Sequence, residues 1–280
     1  MTGSSPLPAV DCHAHCYDLT RQKIAADSAF HLQENELGDV DDFACVLDTH
    51  GMSHAVLVNP LGGYGTDNSY LLEALARGKG RFRGVALLPG HADDRMVRAL
   101  ADGGVSGIRF NLDFPQSPSL FGAAGARALA IAREAGWIVQ VHYAGSSIIP
   151  ALPVLRASGC PVVIDHCGRP DLRLGIGQPG FADLLAYGRE GQAHIKLSAF
   201  FRMTGSGLSS ESLHPFAAAL VDAFTPGRCL WGSDWPFVRA RRRIDYGPQR
   251  ACLDGIVPDP ADRRRILWDN PSRLFGFVAP

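Results

Sequence analysis

Long apolar runs are missing from this sequence, and so is the charged and then apolar region that marks a signal peptide. No run of about 18 apolar residues, the minimum for a membrane-spanning helix, occurs in the chain. The first residues, Met1-Thr2-Gly3-Ser4-Ser5-Pro6, also lack the features of a secretory signal. We therefore expect a cytoplasmic protein with no membrane partner.

An excess of charge of either sign is absent as well. The 280 residues carry 27 Lys and Arg against 28 Asp and Glu, a formal net charge of -1. The basic runs at residues 239–243 and 263–265 are short, and we interpret them as solvated helix faces. A nucleic-acid-binding domain usually has a strong basic footprint, so we expect a small-molecule substrate and no nucleic-acid partner. Whether the chain forms a homo-oligomer stays open.

Paired cysteine spacing is lacking too. The seven cysteines form no Cys-x-x-Cys pair, and their odd number argues against a disulfide framework. Several lie in or just after apolar runs, where a reduced cysteine behaves as a small buried hydrophobe. We interpret them as structural.

What the sequence does contain is a regular alternation of short apolar runs and amphipathic helical stretches. The predicted strands are residues 10–16, 54–59, 82–88, 105–111, 137–142, 161–166, 194–198 and 229–234, and the clearest helices are 41–50, 69–77, 92–101, 123–135, 181–189 and 212–224. Eightfold strand-helix alternation is typical of a (β/α)₈ (TIM) barrel, which we predict as one domain over residues 1–280. A doubly wound open sheet is the alternative, but the Gly-x-Gly-x-x-Gly fingerprint after the first strand is absent.

The first strand carries two histidines one residue apart. The twofold period of a strand predicts that Asp11, His13 and His15 share one face, with Cys12, Ala14 and Cys16 on the other. Two neighbouring imidazoles can converge on one metal ion or one substrate oxygen. The polar face therefore predicts a polar pocket.

Polar residues also end the other predicted strands. They are Arg109 and Asn111 on strand four, His142 on five, His166 on six, Ser198 on seven and Asp234 on eight. Barrel active sites form at the C-terminal strand ends. The set is therefore predicted to be a catalytic site, although each residue alone can equally be a hydrogen-bonded interior group.

Three imidazoles and a carboxylate can bind one zinc-like ion that acidifies a bound water. On this hypothesis the metal ligands are His13, His15, His142 and Asp234. Asp234 is also the candidate general base for the attacking water, and His166 is expected to polarise the substrate carbonyl.

Two arginines are candidate anchors for a substrate carboxylate. Arg109 ends an apolar strand and Arg202 follows strand seven, and either can clamp a carboxylate with two hydrogen bonds. The alternative is an internal ion pair with Asp113 or Asp165. Asn111 and Ser198, at strand ends, are further candidates for substrate binding, and Tyr64 and Thr66, after strand two, are weaker ones. Lys196 is expected to face the barrel interior.

Five stretches spread over the chain resemble the amidohydrolase superfamily, of the amidohydrolase-2 type, in the branch of 2-pyrone-4,6-dicarboxylate lactonases and sugar lactonases. They are residues 11–15 (Asp-Cys-His-Ala-His), 107–111, 164–171 (Ile-Asp-His-Cys-Gly-Arg-Pro-Asp), 230–236 (Leu-Trp-Gly-Ser-Asp-Trp-Pro) and 269–271. The resemblance implies a barrel that hydrolyses esters, lactones or amides. In the dicarboxylate lactonases the reaction runs without metal, with the residue matching Asp234 as the base. Residues matching His13, His15 and His166 hold the carbonyl, and those matching Arg109 and Arg202 bind carboxylate.

The chain departs from that branch at two places. His142 stands where those lactonases have tyrosine, which favours a bound divalent ion, zinc or manganese, although catalysis without metal stays open. Residues 112–115 (Leu-Asp-Phe-Pro) lack a further basic residue, which argues against a dicarboxylate substrate.

The prediction is therefore a hydrolase that opens a small carboxylate-bearing lactone, of pyrone-dicarboxylate, sugar-lactone or muconolactone type, with water activated by Asp234. A metal-dependent decarboxylase of an unsaturated carboxylic acid is the first alternative, and a non-catalytic ligand-binding barrel is the second. Release of carbon dioxide without lactone turnover would favour the decarboxylase.

Overall fold

Eight parallel strands form the centre of the molecule. The computed structural model of the chain describes residues 7–26, 28, 32–204 and 210–279, and each strand in it pairs with the next in chain order. The strands are β1 (Val10–Ala14), β2 (His54–Val58), β3 (Phe82–Ala86), β4 (Val105–Asn111), β5 (Ile138–His142), β6 (Val162–Ile164), β7 (Ala193–Ser198) and β8 (Cys229–Gly232). Nearly every strand residue is buried, as expected when a parallel sheet is covered on both faces.

The sheet closes on itself at the C-terminal end of β1. Ala14 forms a parallel bridge with Trp235, just beyond β8. Asp234 N–H donates to the His13 carbonyl at 2.8 Å, and His15 N–H donates to the Trp235 carbonyl at 2.7 Å. The predicted (β/α)₈ barrel is therefore confirmed, and the open sheet is wrong.

Helices cover the outside of the barrel. In the described part of the chain they are α1 (Val40–Thr49), α2 (Leu61–Tyr64), α3 (Ser69–Arg77), α4 (Asp94–Asp102), α5 (Gly122–Glu134), α6 (Leu152–Ala157), α7 (Phe181–Arg189), α8 (Phe200–Thr204), α9 (His214–Phe224), α10 (Tyr246–Ile256), α11 (Pro260–Arg264) and α12 (Asn270–Phe275). Aspartates cap three of them. The Asp39 carboxylate accepts from the N–H groups of Asp41 and Asp42, that of Asp93 from Met96, and that of Asp259 from Ala261. Among these helices, none is long and apolar enough to cross a membrane.

Two helices have the predicted bounds, and four were not predicted. Ser69–Arg77 and Phe181–Arg189 have strong apolar periodicity, and their predicted limits are confirmed. α2, α6 and α8 are too short to leave a periodic pattern, while α10 contains Gly247, Pro248 and Gly255, which favour a loop. All seven cysteines are free, as predicted.

A bulge in β1 changes which of its side chains lie on the same face of the strand. Asp11 pairs with Ala55 and Ala14 with Leu57, so three steps along β1 match two along β2. Cys12 therefore packs with Val10 in the barrel interior, whereas the Asp11 carboxylate accepts from the Tyr246 hydroxyl of α10, outside the barrel. The prediction that Asp11 shares the face of the two histidines is wrong, because a strict period of two holds only for an unbulged strand.

The barrel interior is apolar at one end. A cluster that we call the floor consists of Val10, Cys12, Val56, Val58, Val85, Ile138, Val163 and Leu230, packed against Trp268, Phe275 and Phe277 of the C-terminal segment. The larger apolar cluster lies between the strands and the helices. Polar side chains are thereby concentrated at the opposite end of the barrel, which we call the mouth.

Candidate active site

Two histidines and one aspartate meet at the mouth. His13 Nε2 lies 3.3 Å from His15 Nε2, and the two atoms lie 3.8 and 3.7 Å from Asp234 Oδ1. The Nδ1 of His15 donates to the Val58 carbonyl at 2.8 Å, so its Nε2 carries a lone pair when the ring is neutral. The closure of β1 against the segment after β8 produces this arrangement, since Asp234 and His13 share a backbone hydrogen bond.

A third imidazole approaches the same carboxylate. His166 Nε2 lies 3.9 Å from Asp234 Oδ1, and its ring centroid is 4.4 Å from that of His13. The Nδ1 of His166 shares a 2.9 Å hydrogen bond with the Ser198 hydroxyl at the end of β7. The residue has a φ of 53°, a left-handed conformation that turns the chain sharply after β6.

His142 lies farther from the centre. Its ring centroid is 5.3 Å from that of His166, and its Nε2 lies 3.4 Å from Arg169 Nη1. Its buried Nδ1 has no hydrogen-bond partner among the described residues. The structure brings the other three predicted metal ligands together but does not bring His142 within the same reach.

The seam between the first and last strands is held by Asp11. Its Oδ1 accepts from the N–H groups of His13 at 3.0 Å and Ser233 at 2.9 Å, and its Oδ2 accepts from the Tyr246 hydroxyl at 3.0 Å. Burial raises the pKa of this carboxyl to about 6, although the three donors lower it. Asp11 therefore fixes the backbone on which His13 and Asp234 stand.

A fully buried polar network lies under the histidines. Asp165 Oδ2 accepts from Arg109 Nε at 2.9 Å and from Gln140 Nε2 at 3.0 Å, and Lys196 Nζ donates to Gln140 Oε1 at 2.7 Å. Burial alone would raise the pKa of Asp165, but Lys196, His13 and Arg109 hold it well below its usual range. Burial also lowers the pKa of Lys196.

The four imidazoles at the mouth are neutral at neutral pH. Burial lowers the pKa of His15 to about 4, and it lowers the pKa values of His13, His142 and His166 well below their usual range. The charges of Lys196 on His13 and of Arg109 on His142 act in the same direction. Each ring therefore offers one donor and one acceptor.

A cavity opens above these side chains. It has about 610 Å³ of empty space including its open mouth, and its lining includes Arg109, Arg169, Arg202, Arg239, Asn111 and Asp234. Arg202 Nε donates to Asp234 Oδ2 at 2.6 Å, which leaves Oδ1 facing the imidazoles. The arginines make the cavity suited to an anionic ligand.

Arg169 differs from the two predicted arginines. Arg109 pairs with Asp165 and Arg202 with Asp234, whereas Arg169 forms no ion pair with any residue that the structure describes. Burial lowers its pKa, and the charge of Arg202 lowers it further. A largely buried guanidinium without a carboxylate is costly unless a ligand supplies the anion.

Three of the predicted substrate contacts are not on the cavity wall. The Tyr64 hydroxyl accepts from the N–H of Asp18 at 2.8 Å, beneath the loop that covers it. The carbonyl of Thr66 accepts from the side-chain amide of Asn68, so this residue stabilises the local turn. Ser198 is buried under His166 and orients that ring instead of lining the cavity.

Among the cavity-lining residues that sequence reasoning missed, three have polar side chains: Tyr17, Arg169 and Arg239. Tyr17 follows the end of β1 by three positions, and Arg169 lies in the turn after His166 with a φ of 44°. Their positions shortly after a strand end were the available signal. The basic run at 239–243 is a loop, not the predicted helix face, because residues 233–245 form turns between β8 and α10. The run at 263–265 does lie in helical turns.

The donor set fits a divalent cation. One nitrogen or oxygen each from His13, His15 and Asp234 lie within 4.8 Å of one another, and His13, Asp165 and His166 form a second such group. Imidazole nitrogen with carboxylate oxygen is a ligand set that zinc accepts. The structure thus has candidate His/Asp sites for a metal.

An eight-stranded barrel with paired histidines at the end of β1, a histidine after β6 and an aspartate after β8 is the arrangement expected of an amidohydrolase. A family model described as Amidohydrolase matches residues 10–277. The chain belongs to the amidohydrolase family.

Related proteins indicate the class of reaction. The chain is 30% identical over 278 residues to the 4-sulfomuconolactone hydrolase of Rhizobium radiobacter, covering 98% of this chain and 91% of that protein. It is 30% identical to the 2-pyrone-4,6-dicarboxylate hydrolase of Comamonas testosteroni, with 96% and 90% coverage. A crystal structure from Pseudomonas putida, described as a 2-pyrone-4,6-dicarboxylic acid hydrolase, superposes with a TM-score of 0.84 at 34% identity and covers 98% of this chain and 99% of that one. These similarities support an enzyme that hydrolyses lactones.

Proposed function

We propose that this protein opens a small lactone that carries at least one carboxylate or comparable anion. The observation that carries the proposal is one carboxylate oxygen, Asp234 Oδ1, within 3.9 Å of three imidazole nitrogens in an arginine-lined cavity. Relatives named for a sulfo-substituted and a dicarboxylate-substituted lactone support an anionic substrate.

Asp234 acts as the base in this proposal. The attacking water transfers one proton to Asp234 Oδ1 and keeps the other, which hydrogen-bonds to the lone pair of His15 Nε2, because the two acceptors are 3.7 Å apart. The water oxygen then attacks the lactone carbonyl, the ring C–O bond breaks, and the proton on Asp234 passes to the departing oxygen. Arg202 holds Oδ2 of Asp234 in place, so that Oδ1 is the oxygen presented to the water.

His166 and His13 are the donors to the developing oxyanion. When the Ser198 hydroxyl donates to His166 Nδ1, the ring proton of His166 lies on Nε2 and points into the cavity. Preorganised donors of this kind in a dry site supply much of the stabilisation in acyl transfer. His15 is an acceptor in its neutral form, so it is better suited to water than to the carbonyl.

The substrate anion is best matched to Arg169, supported by Asn111 and by the cavity-facing parts of Arg109 and Arg202. Arg169 has no carboxylate partner among the described residues, whereas the two predicted arginines each have one. An incoming carboxylate therefore gains most at Arg169, because it pairs with a half-buried charge that has no ion-pair partner among the described residues.

A divalent ion such as zinc or manganese is compatible with this scheme. His13, His15 and Asp234 would hold it, with His142 as the predicted fourth ligand only after a change of side-chain position. When bound, such an ion would polarise the carbonyl and lower the pKa of a bound water.

Asp234→Asn tests the proposal. With a panel of neutral and anionic lactones, assayed before and after chelation, the variant is expected to lose about 1,000-fold or more in kcat while the melting temperature and substrate KM change little. Asp171→Asn is the matched control, because that carboxylate pairs with Arg173 on the surface. Undiminished turnover in Asp234→Asn would remove the proposed base, and carbon dioxide release without ring opening would favour a decarboxylase instead.

A further inference from the structure

A lysine is buried directly beneath the catalytic histidines. Lys196 on β7 has no solvent exposure, and its Nζ lies 3.1 Å from His13 Nδ1, 2.7 Å from Gln140 Oε1 and 3.4 Å from Asp165 Oδ1. An ammonium group has three protons to donate and no lone pair. The hydrogen bond between Lys196 and His13 therefore forms only when His13 Nδ1 is the acceptor, which places the ring proton on Nε2.

Asp165 offers His13 the opposite arrangement. Its Oδ1 lies 3.3 Å from His13 Nδ1 and has no hydrogen-bond partner among the described residues, although it is buried. If Nδ1 carried the proton it would donate to this oxygen, and Nε2 would be left with a lone pair. The two neighbours of one nitrogen thus favour two different tautomers of the same neutral ring.

The other side of His13 favours the tautomer that Lys196 supports. His15 Nε2, 3.3 Å from His13 Nε2, carries a lone pair because its Nδ1 is bonded to the Val58 carbonyl. Before substrate binds, a proton on His13 Nε2 completes a chain of hydrogen bonds from Lys196 through both imidazoles to Val58. When the attacking water takes the His15 lone pair, that proton is available to the lactone carbonyl. Without that proton two lone pairs face each other, an arrangement that needs a cation between them.

Gln140 adds to this preference. Its amide nitrogen lies 3.4 Å from His13 Nδ1 and donates to Asp165 Oδ2, while its oxygen accepts from Lys196. Three polar groups surround Nδ1 of His13. Two of them, the Gln140 amide and the Lys196 ammonium, are donors and therefore require Nδ1 to be an acceptor. An Nδ1 that accepts from these donors carries no proton, so the ring proton of His13 lies on Nε2.

We propose that Lys196 is a positioning residue that holds His13 in the Nε2–H form, which makes His13 a donor to the lactone carbonyl and weakens divalent-metal binding by His13, His15 and Asp234. The part that concerns the carbonyl rests on the proposed lactone hydrolysis, whereas the part that concerns metal binding does not. Asp165 opposes Lys196, so the balance between them decides which use of His13 prevails.

The proton position is measurable directly. In protein labelled with ¹⁵N-histidine, long-range ¹⁵N–¹H spectra at pH 7.5 distinguish a protonated from an unprotonated ring nitrogen, and His13→Gln identifies the His13 signals. We expect wild-type His13 to carry its proton on Nε2, and Lys196→Met, of similar length but unable to donate, to move it to Nδ1. A wild-type ring protonated on Nδ1 would overturn the proposal without any variant.

Zinc titration by calorimetry supplies the second readout. Lys196→Met is expected to bind zinc roughly tenfold or more tightly than wild type, and Asp165→Asn, which loses the competing acceptor, to bind it roughly tenfold more weakly. The exposed Lys23→Met is the control and should match wild type. Equal zinc affinities in wild type, Lys196→Met and Asp165→Asn would contradict the proposal.

Turnover separates this proposal from the proposed function. Lys196→Met should lower kcat roughly tenfold with little change in KM, because a misplaced proton removes one donor to the oxyanion. If Lys196→Met does not fold, as judged by circular dichroism, the wild-type spectrum and Asp165→Asn still decide the outcome. If Asp234→Asn proves active, the proposed lactone hydrolysis is wrong. The ¹⁵N–¹H spectra and the zinc affinities still test the role of Lys196 in that case.

Discussion

The two ends of this barrel are built from the same eight strands and have opposite physical character. At the floor, Val10, Val56 and Val163 pack against Trp268 and Phe275 with almost no solvent exposure. At the mouth, the same strands end in imidazoles, carboxylates and guanidinium groups that share few apolar contacts. The difference teaches that the floor stabilises the fold while the mouth holds costly buried polar groups for chemistry.

Backbone conformation follows the same division. Of the nine described non-glycine residues with a positive φ, seven follow the C-terminal ends of strands at the mouth, among them His166, Ala199 and Asp234, whereas Lys79 and Thr225 precede β3 and β8. Side chains disfavour this region, and each such residue costs on the order of 1 kcal/mol. The mouth therefore depends on stability supplied elsewhere, which three experiments can test.

The largest expected effect is at the floor. Phe275→Ala removes a ring that is only 3% exposed and should lower the free energy of unfolding by about 3 to 5 kcal/mol. Because the ring is remote from the mouth, kcat and KM measured well below the unfolding temperature should stay unchanged. Urea unfolding and initial rates check both parts, with Phe121→Ala at a 43% exposed position as the control. A large loss of kcat in the folded Phe275→Ala protein would break the division between the two ends.

A mouth variant should show the reverse pattern. Arg202→Met removes the cation 2.6 Å from Asp234, and we expect kcat/KM to fall about 100-fold while the urea midpoint changes little. Arg173→Met removes an arginine that pairs with Asp171 on the surface and should leave the kinetics as they are. Equal kinetics for Arg202→Met and wild type would show that the pair with Asp234 is only structural.

The smallest expected effect tests whether acid sensitivity belongs to the mouth alone. Burial lowers the pKa of both His15, at the mouth, and His194, at the floor end of β7, to about 4 from 6.5. The unfolded chain therefore takes up protons first as the pH falls. The stability that each neutral ring contributes is complete above pH 6.5 and is lost between pH 6.5 and 4, at about 1.4 kcal/mol per pH unit.

Asp11 acts in the opposite sense below pH 6, since its raised pKa makes the folded state take up a proton there. Slopes are therefore best compared between variants. His15→Gln and His194→Gln should each reduce the loss of stability on acidification by a similar amount, as followed by urea midpoints from pH 7.5 to 5. Only His15→Gln should reduce turnover. If the urea midpoint of His194→Gln changes with pH as that of wild type does, His194 does not contribute to the loss of stability in acid.

Much of the barrel could be predicted because its signals are local. Eight apolar runs separated by periodic helices define the strands to within two or three residues, and the strand ends locate His13, His15, His166 and Asp234. A strand-end rule is sufficient here because the parallel strands all finish at one rim. The family likeness carried the same residues.

Other features depended on contacts that spacing does not encode. The bulge in β1 moves Asp11 to the outer face, where Tyr246 meets it from 235 positions away. Arg169 and Tyr17 reach the cavity through turns whose direction is set by packing. Lys196 was expected inside the barrel, but its place under His13 follows from β1 and β7 lying on either side of β8 in the closed sheet. In each case a long-range contact overrides a local rule.

The hydrogen bonds that join Asp234 to His13 and Trp235 to His15 connect the beginning of the chain to a segment more than 200 residues later. A growing polypeptide that has not yet made its eighth strand holds the imidazoles but lacks the aspartate. With Asp234 as the proposed base, we therefore expect hydrolytic activity to be acquired late in synthesis, and chains that end before the eighth strand to be inactive. On that proposal, activity requires that the two distant segments of the chain have met.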